Sequence, residues 1–239
     1  MYHRGAGRWD VAEEAGGIRY ARAMDEVRIG VGSEVVTASI HGAGARVLAL
    51  GHGAGSDRRY PALVRLAEVL ADSGRGAVLY NFPYRERGRG RPDPPAVLEA
   101  TVRAVGEYAG GTMGAGRVVH GGRSMGGRIA SQAVAQGARA DGLVFLAYPL
   151  HPPGQPDKLR DAHLARVAAP MLFVQGTRDD FARWDLLEAT VARLGGAELH
   201  RVEAADHSFG VRKSSGRTAA EVEAEVHRVV LQWLDGKGL

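Results

Sequence analysis

The 239-residue chain contains no cysteine. That excludes a disulfide framework, a zinc ribbon and a thiol nucleophile, and it agrees with a reducing compartment. Lysine is almost as scarce, occurring only as Lys158, Lys213 and Lys237, so arginine carries nearly all of the positive charge behind a formal net +4. Together with abundant alanine and glycine, this reads as the imprint of a GC-rich genome, and no nucleic-acid partner is expected. No apolar run approaches the ~20 residues of a membrane-spanning helix, and the first residues lack the apolar stretch of a signal peptide. A cytoplasmic protein without membrane association is expected. The phosphate-cradling patterns G-x-G-x-x-G and G-x-x-x-x-G-K-[ST] are missing, as is the zinc-binding pattern H-E-x-x-H. Neither a metal nor an organic cofactor is expected.

What is present is an ordinary globular composition, 45% apolar and 24% charged, over a length that α/β folds fill as one domain. Residues 1–24 are rich in Gly, Arg and Glu without a steady period and read as a loosely ordered leader. Residues 25–239 read as a single domain without a large cap. Within it EVRIGV (26–31) and EVVTASIH (34–41) form a hairpin signal around Gly32–Ser33. Runs read as strands then begin at Arg46, Gly76, Arg117, Gly142, Pro170 and Ala197, the first of them densely apolar and the run from Gly142 extending to Leu150, and they alternate with segments of helical spacing. Strands that are apolar without interruption belong in a sheet covered on both faces. The expected fold is therefore three-layer α/β, with a mostly parallel sheet of about seven to eight strands and chemistry at the strands' carboxyl ends. Two stretches, 83–95 and 151–168, are irregular and directly follow strands.

The sharpest local signal is Gly122-Arg123-Ser124-Met125-Gly126, which fits G-x-S-x-G between an apolar strand and an Ala-rich helix. A serine on such a turn stands exposed, with the amides of a helix N-terminus behind it to receive an oxyanion. Its hydroxyl needs a base, and the base needs a carboxylate to orient it. Asp179 and His207 follow late strands in the order nucleophile, acid, histidine. Asp180 competes with its neighbour for the acid role, although adjacent side chains of an extended loop diverge. His120 lies inside the strand leading to the serine and reads as a core histidine, while His163, His200 and His227 read as surface residues. His52-Gly53-Ala54-Gly55, at the end of an early strand, suits an oxyanion loop in which the N–H groups of Ala54 and Met125 are the donors and His52 orders the backbone.

These motifs in this order resemble the α/β-hydrolases over roughly residues 26–236. Tyr80-Asn81-Phe82-Pro83-Tyr84-Arg85, Gly88 and Pro92-Asp93-Pro94 make the chain similar to the small, lidless, dienelactone-hydrolase-like branch, which also includes relatives of a chromatin-complex subunit. Authentic dienelactone hydrolases carry cysteine where Ser124 stands. The resemblance implies a serine hydrolase acting on a small carboxylic ester or related acyl compound, with Ser124, His207 and Asp179 catalytic. Short acyl chains are expected to be favoured, because 151–168 is too short to build a cap. The rival reading is a silent scaffold that keeps the fold to bind protein. His52, Arg85 and Arg123 are candidate substrate contacts, since guanidinium groups near the serine suit a carboxylate or phosphate, although the run Arg85, Arg87, Arg89, Arg91 also reads as a solvated loop.

Overall fold

The computed structural model describes residues 25–239, and the leader expected over 1–24 lies outside the described residues. The sheet starts as the sequence pattern dictates, with β1 (Asp25–Val31) and β2 (Glu34–His41) paired antiparallel across a two-residue turn whose Gly32 has φ +58°. Next come β3 (Arg46–Gly51), β4 (Gly76–Tyr80), β5 (Arg117–Arg123), β6 (Gly142–Leu146), β7 (Met171–Gly176) and β8 (Ala197–Val202). The eight strands lie in the order β1-β2-β4-β3-β5-β6-β7-β8, and every pairing from β4 to β8 is parallel. This is the α/β sheet the alternation implies.

Helices cover both faces because the central strands are apolar on both. On one face α3 (Pro95–Gly111), α4 (Met125–Ala135) and α5 (Trp184–Ala192) pack against Val47, Val78, Phe145 and Phe173. The other face buries Leu48, Leu79, Val144 and Val174 beneath α1 (Pro61–Asp72) and α6 (Ala219–Lys237). Alternate residues of each strand thus serve opposite cores. Thr218 starts α6 with a capping box, its hydroxyl accepting from Glu221 N–H while the Glu221 carboxylate accepts in return. Among the described residues no helix is long and apolar enough to cross a membrane.

Two boundaries differ from expectation. The apolar run 142–150 leaves the sheet at Leu146, because Ala147 takes φ +56°, outside the range a strand tolerates. Inside the irregular stretch 83–95, Pro83–Glu86 forms a single turn, α2, with proline in its first turn where a missing N–H costs nothing.

Candidate active site

The chain rises out of β3, β5, β6, β7 and β8 at one edge of the sheet, and the loops there bring the expected site residues together. Ser124 sits between β5 and α4 at φ +50°, ψ −115°, a strained conformation for a residue with a Cβ. Its N–H is held by the Leu146 carbonyl at 2.9 Å. Close approach enforces the turn: a Cβ on Gly122 or Gly126 would lie 2.1 Å from the Gly51 carbonyl oxygen. The serine hydroxyl is 2.8 Å from His207 Nε2, and His207 Nδ1 is 2.7 Å from Asp179 Oδ2. Three groups spread over 83 residues of chain form one hydrogen-bonded line.

Asp179, not Asp180, faces the histidine; Asp180 is exposed, whereas Asp179 is buried. Three donors fix the Asp179 carboxylate. Oδ1 accepts from the Phe181 N–H at 2.8 Å, and Oδ2 accepts from Gln175 Nε2 at 2.6 Å as well as from His207. Gln175 is wholly buried in β7, and its own oxygen accepts from Tyr148 N–H at 2.7 Å. The Phe181 ring stacks on the His207 imidazole, 4.2 Å between centroids and 25° between planes. Buried His151 braces the same loop, donating its N–H to the Phe181 carbonyl and accepting from Arg183 N–H on Nε2. Sequence reading missed Gln175, Phe181 and His151. The available signal was a glutamine inside an otherwise apolar strand.

The 52–54 loop is as firmly held. His52 Nδ1 lies 2.8 Å from the Gly53 carbonyl, and Phe82 N–H points at Nε2 from 3.2 Å. One nitrogen must donate and the other accept, so the ring is neutral with its proton on Nδ1. The Tyr84 hydroxyl donates to the Ala54 carbonyl at 2.8 Å, which gives the Tyr80–Arg85 motif a structural purpose beside the site. Ala54 and Met125 are both present at this edge, the latter as the first residue of α4. Met125 N–H therefore belongs to the helix's unpaired first turn.

The arginines divide. Arg123 donates to Ser208 Oγ at 2.9 Å and to the His207 carbonyl at 3.2 Å, and it lies over the Tyr60 ring at 4.9 Å. Arg85 turns back to its own loop, 3.4 Å from the Arg89 carbonyl. Arg87 is tied to Glu34 and Asp93, while Arg89 and Arg91 are exposed. Among the other histidines, His120 is a core residue facing α3, where the absent side chain of Gly106 makes room for its ring. His163 and His200, expected at the surface, are half-buried, His163 against the Ser131 hydroxyl and His200 donating to the Glu225 carboxylate; both partners come from distant elements that no local pattern reveals. His227 is half-buried too. Among the described residues no three His, Asp or Glu side chains gather into a metal-binding group.

Burial pushes His52 and His120 down to about 4. In the unfolded chain both titrate near 6.5. Their folded values are depressed, so the stability linked to the neutral rings is complete above about pH 7 and falls as pH drops from 6.5 toward 4, where the unfolded chain alone takes up protons. Each contributes a slope of about 1 kcal/mol per pH unit inside that window. Urea denaturation at pH 7, 6 and 5 is expected to show falling stability, and His120→Leu to make the fall shallower by one proton. An unchanged slope in that variant would contradict the assignment.

A profile of the family described as alpha/beta hydrolase domain matches residues 41–235. The chain belongs to that family. Three solved structures share its fold. Dienelactone hydrolase from Anabaena variabilis is 21% identical, with a TM-score of 0.69 over 90% of this chain and 97% of that one. XC6422 from Xanthomonas campestris, described as an α/β serine hydrolase without lid, is 16% identical with a TM-score of 0.70, over 90% and 96% of the two chains. Est1E from Butyrivibrio proteoclasticus, in a structure with ferulic acid bound, is 14% identical with a TM-score of 0.71, over 86% and 98%. At these identities the likeness is one of fold.

Proposed function

We propose that the protein is a serine hydrolase that cleaves a small carboxylic ester or related acyl compound through an acyl-enzyme. The observation that carries this reading is the unbroken line Asp179–His207–Ser124, ending on a strained serine at a helix N-terminus. Ser124 Oγ attacks the acyl carbon as its proton passes to His207 Nε2. His207 becomes an imidazolium whose Nδ1–H donates to Asp179, and the stacked Phe181 face favours the added charge. The carbonyl oxygen, now an oxyanion, accepts from Ala54 and Met125 N–H, each such donor being worth ~3 kcal/mol in the transition state. Collapse breaks the ester C–O bond, and the alkoxide leaves with the proton from Nε2. Water then repeats the sequence on the acyl-enzyme with His207 as base, returning the acid and free Ser124. None of these steps calls on a metal or organic cofactor, and the absence of cysteine fits work in the reducing cytoplasm.

A silent scaffold would need no activated serine, and the two readings separate cleanly. A fluorophosphonate probe is expected to label the wild type and not Ser124→Ala, and a chromogenic ester and lactone panel to yield at least one substrate with the same dependence. No labelling at saturating probe, with every panel member intact, would leave the scaffold.

A further inference from the structure

A cavity of about 410 Å³ lies beneath the first turns of α1 and α6, and Arg123 and Ser208, the chain neighbours of Ser124 and His207, line it. Its walls are mainly apolar: Tyr60 and Leu66 from the α1 side, Leu146 at the end of β6, Phe209 beyond His207, and Val222 and Val226 of α6. The charges at its rim largely cancel, because Arg65 pairs with Glu223 at 2.6 Å and burial pushes His227 down, toward the neutral form. Phe209 reaches the wall from a backbone held at φ +60°. That left-handed geometry costs a bulky residue free energy, and the Asp206 carboxylate maintains it by accepting from Ser208 N–H and Gly210 N–H at 2.8 and 2.9 Å.

Arg123 joins this cavity to the serine. It lines the cavity, yet its Nη1 lies 2.9 Å from where a Cβ on Gly53 would stand, a point itself 3.8 Å from Ser124 Cβ. Its bonds to Ser208 and to the His207 carbonyl, with Tyr60 beneath the guanidinium, make it the partition between the reacting atoms and the recess. A cavity of this size falls at the small end of ligand pockets, and its lining calls for hydrocarbon rather than charge.

The geometry points to esters carrying an apolar group of roughly six to eight carbons, which passes Arg123 and fills the α1–α6 cavity while the carbonyl stays at Ser124. This assignment rests on the serine-hydrolase reading and refines it: the optimum lies at medium length instead of at the shortest chain. Each buried methylene raises kcat/KM about fourfold until the recess is full.

The test uses two substrate series, p-nitrophenyl esters from acetate to laurate and alkyl acetates from ethyl to dodecyl. One series is expected to rise by more than tenfold to a maximum near six to eight carbons and then fall, and which one does so decides whether the cavity takes the acyl or the alcohol side. Ala220→Trp, on the exposed rim, narrows the recess and is expected to lower the eight-carbon-to-two-carbon ratio of kcat/KM at least tenfold in whichever series rises, with Ala62→Trp as a second filling variant. Flat profiles in both series, or ratios unmoved in both variants, overturn the assignment. Calorimetry with octanoate on Ser124→Ala reads the cavity without turnover: octanoate is expected to bind that protein and to lose at least tenfold in affinity when Ala220→Trp is added. A protein that binds octanoate in this way yet hydrolyses nothing would sink the enzymatic reading alone, whereas one that hydrolyses p-nitrophenyl acetate and binds no octanoate would sink the cavity alone.

Discussion

Ser124→Ala is expected to reduce kcat by about 10⁴–10⁶-fold toward any ester the wild type cleaves, and Asp179→Asn by about 10⁴-fold. The second loss follows from donor arithmetic. Every group around Asp179 donates: Phe181 N–H to one oxygen, Gln175 Nε2 and His207 Nδ1 to the other. An asparagine must aim its NH₂ at one of these donors. If it faces His207, the imidazole keeps that contact only by moving its proton to Nε2, which then points a hydrogen at Ser124 and accepts nothing. If it faces Phe181, a backbone N–H is left buried without an acceptor, at a cost of about 1–3 kcal/mol in stability. Asp180→Asn is the control, because Asp180 is exposed beside the site; its kcat is expected to stay within about twofold of wild type. Steady-state kinetics on the three variants, with thermal unfolding to separate folding losses, checks the set. Comparable losses in Asp179→Asn and Asp180→Asn would remove Asp179 from its special place.

What the sequence made readable was whatever leaves a local trace. Buried parallel strands are apolar on both faces, so the runs from Arg46 to Gly176 announce themselves without any knowledge of their partners. The serine turn does so as well, since its glycines and following helix lie within a few residues. Asp179 and His207 were legible through position alone, each just past a strand end. The supporting groups were not, for reasons that differ in kind. Phe181 acts through a ring stacked on a residue in another loop, and His151 through main-chain groups 30 or more positions away, so neither has a pattern of its own. Arg87 resembled its solvated neighbours, yet Glu34 from the hairpin and Asp93 hold it. The strand overrun at 147–150 has the same origin: Ala147, Tyr148 and Leu150 are buried beside the site, and burial outside a sheet looks in sequence like burial inside one.

The second large effect is on folding rather than on chemistry. Gly126→Ala adds a single methyl group, but its carbon would stand 2.1 Å from the Gly51 carbonyl oxygen and 2.9 Å from Gly51 Cα, both main-chain atoms of β3. Side chains swing aside from such overlaps; a strand bonded to β4 on one flank and β5 on the other has no comparable freedom. Relief requires α4 to lift from the sheet, and with it goes the turn that places Ser124 against His207. The expected cost is at least ~3 kcal/mol, above the usual overpacking penalty because the collision is with backbone. Gly110→Ala makes the matched comparison. Nothing lies within 4 Å of a Cβ there, in the last turn of α3, so the same methyl group is expected to stabilise by up to ~1 kcal/mol through helix propensity. Urea titration of both variants measures the contrast directly, and equal midpoints would mean that β3 and α4 do not meet as closely as the serine turn requires.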